Sequence, residues 1–496
     1  MKNERFHLYI FLFAVCIYFL TAYNSHGFYH ADEHYQIIEF AGLKLGTHTP
    51  NELAWEYNAQ IRPALQPTIC IVVFKMLSLV HINNPYSQVF ILRLLTAILS
   101  LLIIRYFIVN TENQVVGNRS TKIYYLLSYF LWFIPFISVR FSSETWSGLF
   151  FLLSLAIFFS RLNSEYKPYL LGLISGFSFI FRFQIAFAII GFFLWLIIIE
   201  RKKLDYFLKF GIAFLSVLIL GFFIDFWFYG EPVFTTWNYF HSVIDSGGNG
   251  FGTSPWYFYF IKLLSLPSYF VGIPLVFALV LLIIYTPKNI YLWSIIPFIL
   301  VHTLVPHKEE RFIFPIVFLF PIILVSGYNQ FVLIIRSRYM IRALNYFMAL
   351  IFLAVNLIGI VAMSQKAAGN GRMEISKYIH DNYGTKLIKL IYCSWANPYN
   401  PWNSIPIKFY AEKKMDSKLI NNLCEINDSL IDTGAQNFLI VRKIDLRNQE
   451  CSQLIYQHNF VFVKQSIPKW IEFINKYYKG FDEGDVLVLY KYIGKN

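Results

Sequence analysis

The chain has 496 residues, of which 57% are hydrophobic, 20% aromatic and only 14% charged, with a mean hydropathy of +0.50. A soluble globular chain carries roughly 45–50% apolar and about 25% charged residues, so this composition excludes an ordinary soluble enzyme and points to a multi-pass membrane protein. The formal net charge of +13 does not argue for nucleic acid, because Lys and Arg cluster in short loops between apolar runs, as membrane orientation requires.

A spanning helix needs about 20 apolar residues. Such runs occur near His7–Tyr23, Ala64–Val80, Val89–Val109, Ile123–Val139, Phe150–Phe159, Tyr169–Phe181, Ile185–Ile199, Tyr206–Phe228, Ser268–Tyr285, Leu292–Val305, Ile313–Tyr328 and Tyr346–Met363. The first has basic flanks (Lys2, Arg5) and no small-residue cleavage site, so it reads as a retained anchor. Tyr169–Phe181 and Ile185–Ile199 are short and are split by Arg182-Phe183-Gln184, which predicts two helices meeting at a polar break. Basic loops at Arg201-Lys202-Lys203, Lys288 and Arg336, Arg338 and Arg342 belong on the cytoplasmic side. Alternate counting then puts Asn24–Pro63, Gly230–Trp256, His307–Arg311 and everything after Met363 on the outer face. Arg105, Arg119 and Lys122 conflict with that count unless one run between Ala64 and Val109 fails to cross.

From Ser364 onward the apolar runs shorten. Leu387–Tyr392, Phe438–Val441, Phe460–Val463 and Val486–Tyr490 read as strands, and Met373–Asn382 and Lys469–Lys479 as helices. This predicts a small α/β domain over 364–496. The five cysteines show no paired spacing, hence no metal or redox motif; Cys424 and Cys451 would be able to pair in an oxidising compartment.

The densest chemistry lies in Phe28-Tyr29-His30-Ala31-Asp32-Glu33-His34-Tyr35-Gln36, with two carboxylates between two imidazoles. Acids at a membrane rim are costly to desolvate and read as functional by default. Asp32 heads a pattern predicting an amphipathic helix on the membrane surface, stopped by Gly46. Two roles fit Asp32: a helix N-cap, or a general base that removes a proton from a sugar hydroxyl. Glu33 is the second choice for that base. Downstream, Trp55, Glu56 and Arg62 suit a sugar, whose rings stack on aromatic faces and whose hydroxyls bond to acids; an interfacial aromatic belt is the plain alternative. Gly247–Trp256, with Gly252, Thr253, Trp256 and Tyr257, reads as a movable Gly-rich loop entering an aromatic helix, or as a connector; its spacing is not that of a nucleotide motif. His307, Lys308, Glu309 and Arg311 suit a lipid phosphate, against a loop of self-neutralising ion pairs. Arg182 and Gln184 are further phosphate or sugar contacts. Arg140, Ser142, Ser143 and Glu144 share the outer face in the same count, and Asp225 marks a span end.

These stretches together resemble glycosyltransferase family 22, multi-pass α-mannosyltransferases of the GT-C superfamily that include GPI-anchor and lipid-linked oligosaccharide enzymes. The resemblance rests on His30-Ala31-Asp32-Glu33-His34-Tyr35-Gln36 with Glu39, on Trp55-Glu56 and Ile61-Arg62, on Arg182, on Gly252-Thr253-x-Pro255-Trp256-x-x-Tyr259-Phe260, on His307-Lys308-Glu309-Glu310-Arg311-Phe312, and on Tyr392-Cys393-Ser394. The chain departs from the family at Ala31, Pro63 and Phe183-Gln184.

The resemblance implies a GT-C fold: an all-α multi-pass bundle of about 11–12 helices over 1–363, with outer loops at 24–63 and 229–258 and the α/β domain on the outer side. It implies an inverting hexosyltransferase, with mannose expected, that uses a polyprenyl- or dolichyl-phosphate donor, a lipid-linked glycan acceptor and Asp32 as base. No metal or other cofactor and no nucleic acid is expected. The compact loops favour a bacterial inner membrane, with an endoplasmic-reticulum membrane as the alternative. Two rivals are a GT-C transferase of another sugar and a flippase for lipid-linked sugars; the flippase would place its polar sites near the bilayer midplane.

Overall fold

The computed structural model describes residues 2–245, 252–334, 338–401 and 405–494. Arg336 and Gly247–Phe251, named above, lie outside these residues. The chain divides into two compact units, one built from 1–22, 56–69 and 92–364, the other from 23–55, 70–91 and 365–496. Residues 24–55 of the first outer loop, counted with the membrane part from sequence, are therefore grouped by their contacts with the C-terminal residues, while 56–63 stay with the first unit.

The first unit is helical. Among the described residues five helical segments are long and apolar enough to cross a membrane: Arg5–Asn24, Pro85–Gln114, Leu204–Tyr229, Glu310–Ile334 and Tyr346–Gln365. Tyr269–Tyr285 and Ile290–Leu304 form a pair bent by 117°, and four shorter apolar helices are Leu65–Leu79, Ser143–Phe159, Lys167–Phe181 and Phe183–Ile198. The protein is accordingly a multi-pass membrane protein. Helix Lys167–Phe181 packs between Ser143–Phe159 and Leu204–Tyr229, and Ala186–Ile198 packs on Ile290–Leu304.

The run near Ile123–Val139 is broken into Asn118–Phe130 and Phe133–Ser138. Asn356 resolves the break: its side-chain oxygen accepts the Trp132 N–H at 2.9 Å while its own N–H donates to the Phe352 carbonyl at 2.7 Å. Freed backbone groups at membrane depth need partners of this kind. Glu310–Leu319 winds as a 3₁₀ helix and passes against the start of Ser143–Phe159. Gly148 permits that crossing, since a Cβ there would sit 2.5 Å from the Pro315 carbonyl oxygen.

The second unit holds a five-stranded mixed sheet: β1 (Ile388–Cys393), β2 (Met415–Ile420), β3 (Gln436–Arg442), β4 (Phe460–Gln465) and β5 (Leu487–Tyr492), in the order β2-β1-β3-β5-β4. β1 runs parallel to β2 and β3, while β5 runs antiparallel to β3 and β4. Helices Arg372–Tyr383, Gln449–Gln457 and Lys469–Tyr478 accompany it, and Cys424 and Cys451 are joined as a disulfide.

Candidate active site

The sequence-marked residues fall into two clusters, one in each unit. In the second unit the chain is helical from Ala31 to Leu45, but a π turn over Tyr35–Glu39 separates two short α-helices. Turns of this kind concentrate at functional sites. The N-cap is His30, whose Nδ1 accepts the Asp32 N–H at 3.3 Å. Asp32 is therefore not the cap, and its carboxylate lies 3.5 Å from the same imidazole nitrogen. Glu33 is buried and accepts the Tyr29 N–H at 2.8 Å, so of the two acids Asp32 keeps the more exposed carboxylate.

The helix is not a surface helix. Residues 33–42 are buried without exception, because its polar side turns inward. Glu39 receives hydrogen bonds from His34 Nε2 at 2.7 Å, from His48 Nε2 and from the Phe409 backbone N–H at 3.2 Å. Burial alone would raise the Glu39 carboxyl; the two imidazole bonds reverse that and hold it at about 2. The His34 ring lies between Phe28 and Tyr410, with centroids at 4.9 and 5.4 Å. The result is a stiff carboxylate–imidazole core directly after the acid pair. Trp55 is partly exposed.

In the first unit three arginines and three glutamates converge. Glu144, in the first turn of Ser143–Phe159, accepts from Arg182 Nη1 at 2.9 Å and from Arg311 Nη1 at 2.8 Å with one oxygen, Oε1. Arg311 Nε donates to Glu309 at 2.5 Å, and Glu309 meets His307 Nε2 at 2.9 Å. Arg62 lies 3.9 Å from Glu56 and 6.0 Å from the Tyr239 ring centroid, and Gln184 donates to the Tyr239 hydroxyl. Arg182 sits at the polar break read from sequence, with extended backbone at φ −156°. Its Nε is buried and has no hydrogen-bond partner among the described residues. Burying a guanidinium donor without an acceptor is costly, so an acceptor is expected there.

The Gly-rich loop and the His307 segment are laced together. Lys308 donates to the Ser254, Val305 and Pro306 carbonyls at 3.0, 2.6 and 3.5 Å; His307 Nδ1 faces the Gly252 carbonyl at 3.2 Å; and the Tyr259 hydroxyl donates to the Glu309 carbonyl at 3.3 Å. Lys308 thus serves the loop junction. Trp256 and Tyr257 are exposed, and Thr253 precedes the Ser254 N–H that pairs with Pro306 at 2.9 Å. Asp225 accepts the Ala64 N–H and the Thr235 hydroxyl, both at 2.7 Å, which ties a span end to the residue ahead of Leu65–Leu79 and to the start of the helix that follows the span.

Two residues escaped the sequence reading. Tyr239 carried no motif signal. His302, inside an apolar helix, donates from Nδ1 to the Phe298 carbonyl at 2.7 Å, and its buried Nε2 has no partner among the described residues. A lone His in an apolar run was the only available hint. Among the described residues no group of His, Cys, Asp or Glu could hold a metal ion.

A sequence profile of the Alg9-like mannosyltransferase family matches residues 9–411. GPI mannosyltransferase 3 of Candida albicans is 26% identical over 381 residues, covering 74% of this chain and 72% of that protein. Human GPI alpha-1,2-mannosyltransferase 3 is 26% identical over 338 residues, covering 62% of this chain and 55% of that one. Among solved structures, ArnT from Cupriavidus metallidurans bound to undecaprenyl phosphate superposes with a TM-score of 0.53 at 11% identity over 98% of both chains, which shows a shared GT-C fold.

Proposed function

The chain belongs to the Alg9-like mannosyltransferase family, and on that premise we propose that it moves a hexose, mannose first, from a polyprenyl- or dolichyl-phosphate donor to a lipid-linked glycan. The observation that carries the donor side is the pairing of Arg182 and Arg311 on Glu144, with Arg182 Nε buried and lacking an acceptor. A phosphate oxygen would satisfy that donor, and guanidinium charge stabilises a departing phosphate. The ArnT structure was solved with undecaprenyl phosphate, which favours a lipid phosphate for this chain too.

In the proposed reaction Asp32 takes the proton of the acceptor hydroxyl. That oxygen bonds to the sugar C1 from the face opposite the phosphate. The C1–O bond breaks and its electron pair leaves on the lipid phosphate, so the configuration inverts. Glu33 shapes the Asp32 turn. Glu56, Arg62, Gln184 and Tyr239 take sugar hydroxyls. Residues 1–363 form the membrane domain and 364–496 an outer-face α/β domain.

The loop charges and helix lengths combine into one topology. Leu65–Leu79 has 15 residues, no more and no fewer than Lys167–Phe181 or Ile290–Leu304, so the loop charges rather than its length single it out. If this helix does not cross, Arg105, Arg119 and Lys122 fall inside. Eleven crossings remain: the five long helices, both arms of the bent pair, the broken span 118–138, and 143–159, 167–181 and 183–198. The N-terminus is inside, and 24–63, 139–144, 182, 230–258, 305–309 and 366–494 are outside. The relatives quoted are yeast and human proteins, which turns the compartment away from a bacterial inner membrane and towards the endoplasmic-reticulum alternative.

The test is transfer of labelled mannose from a polyprenyl-phosphate donor by the purified chain and by Asp32→Asn. A general base contributes about 10²–10⁴-fold, so the variant should lose at least 100-fold with donor binding retained. Activity within a few-fold of the parent removes Asp32 as base; movement of an unaltered lipid-linked sugar across vesicles removes the transferase reading.

A further inference from the structure

We propose that helix Lys469–Tyr478 is an interfacial anchor that seats the α/β domain on the headgroup layer of the membrane, with a preference for anionic lipid. The helix has two apolar faces where a soluble domain needs one. Ile471 on the inner face packs with Ile467 and Val486, and Phe481 closes that small core. On the outer face Trp470, Phe473 and Tyr477 are 39%, 58% and 79% exposed. They are spaced i, i+3 and i+7, which puts them in one stripe.

The helix is held rigidly. Asn475 donates to the Phe481 carbonyl at 2.6 Å and accepts the Gly480 and Phe481 N–H groups at 2.8 and 3.2 Å. Glu472, its only acid, pairs with Lys443 at 2.8 Å. Lys469, Lys476 and Lys479 remain exposed around the stripe. Trp and Tyr favour the headgroup level, and a Lys fringe favours anionic lipid.

The same helix is tied to the place where the chain leaves the bilayer. The last apolar span ends at Gln365. The next residue, Lys366, places its ammonium 4.7 Å from the Phe481 ring centroid. Gly371 lies so close to the turn between β4 and the helix that a Cβ there would sit 2.0 Å from the Ser466 carbonyl oxygen. Both ends of the helix are thus held by residues one to six positions beyond the span. Six residues reach at most about 20 Å, so Gly371, and with it the segment that leads into the helix, stays close to the exit point. An apolar, cation-fringed face at that height has the lipid headgroups as its nearest available cover.

The experiment uses the full chain in nanodiscs of phosphatidylcholine, with or without about 30% phosphatidylserine, and lipids brominated in the upper acyl chain. The protein has 11 Trp, so the Trp470 signal is taken as the parent spectrum minus that of Trp470→Phe. Expected is a blue-shifted difference spectrum quenched at least roughly two-fold by bromine, weakened by Phe473→Ser with Tyr477→Ser. The triple change of Lys469, Lys476 and Lys479 to Glu should reduce quenching most in the anionic discs. A solvent-like, unquenched Trp470 signal overturns the proposal. So does a shielded signal that bromine does not touch and that dilution alters, which would mean a second copy covers the face. A reduction of quenching by the lysine variant that is equal in both lipids overturns the anionic preference.

Discussion

One carboxylate oxygen of Glu144 binds both Arg182 and Arg311, at 2.9 and 2.8 Å, and all three side chains are nearly excluded from solvent. Without Glu144 two guanidiniums would face each other in a low-dielectric site. Glu144→Gln should therefore raise the donor KM by about tenfold or more and lower stability by roughly 3–5 kcal/mol, the usual cost of breaking a buried pair. Glu144→Asp should restore part of the KM. Steady-state kinetics against donor concentration and a denaturant titration measure the two effects separately.

Glu33 and Asp32 should separate by substitution. Glu33 accepts the Tyr29 N–H at 2.8 Å, a bond that a glutamine oxygen also accepts. Glu33→Gln is expected to keep activity within about fivefold, whereas a lost base costs about 10²-fold or more. The opposite ranking in a transfer assay would make Glu33 the base.

The Glu39 core predicts an acid limit. Its carboxyl titrates at about 2 in the fold against an ordinary 4.5. A depressed carboxyl stabilises above its unfolded value and loses that contribution as pH falls through its folded one. Unfolding free energy should drop between about pH 4.5 and 2 by up to about 3 kcal/mol from this group. Glu39→Gln should flatten that part of the curve in denaturant titrations at stepped pH; parallel curves would refute the assignment.

Gly148 tests the crossing that brings Glu144 to Arg311. A Cβ would lie 2.5 Å from the Pro315 oxygen, and backbone has little freedom to yield. Gly148→Ala should cost about 1–3 kcal/mol as an overpacked site and reduce transfer by shifting the Arg311 turn. Thermal unfolding and activity of the one variant report both.

The topology makes opposite statements about two glycosylation sequons. In the proposed topology Asn427-Asp428-Ser429 falls on the outer side and Asn118-Arg119-Ser120 on the cytoplasmic side. Expressed in a eukaryotic secretory system, the chain should carry glycan at Asn427 and none at Asn118, read by mass spectrometry after glycosidase treatment. Glycan at Asn118 would invert the count that excludes Leu65–Leu79 from crossing.

Much of the fold was readable because its signals are local. The apolar runs and the polar break at Arg182 lie within a few residues of the structure they specify. β2 was missed because it is an edge strand whose Asp416, Ser417 and Lys418 face solvent, so it lacks the apolar pattern that marks a strand. Gln449–Gln457 was missed for a similar reason, with only Cys451 and Ile455 buried. The surface helix after Asp32 turned out to be buried because its polar side meets His48 and the Phe409 backbone, the latter 370 residues away. From sequence Glu144 was only one of a group expected on the outer face, and its partner Arg311 stands 167 positions later. No window along the chain contains both.

The second unit also sets a schedule for the protein's own synthesis. The His26 carbonyl accepts the Ala368 N–H at 2.8 Å, Tyr35 donates to the Ile405 carbonyl at 2.7 Å, and Glu39 waits for Phe409. Some 340 residues must be made between the first partner and the second, which at 5–20 residues per second is roughly 17–70 s. Through that interval the turn carrying Asp32 has emerged without the segments that hold it. With Asp32 in its proposed role, a ribosome-bound chain short of residue 410 should therefore be silent as an enzyme however many spans it has inserted, so synthesis past Phe409 acts as its switch.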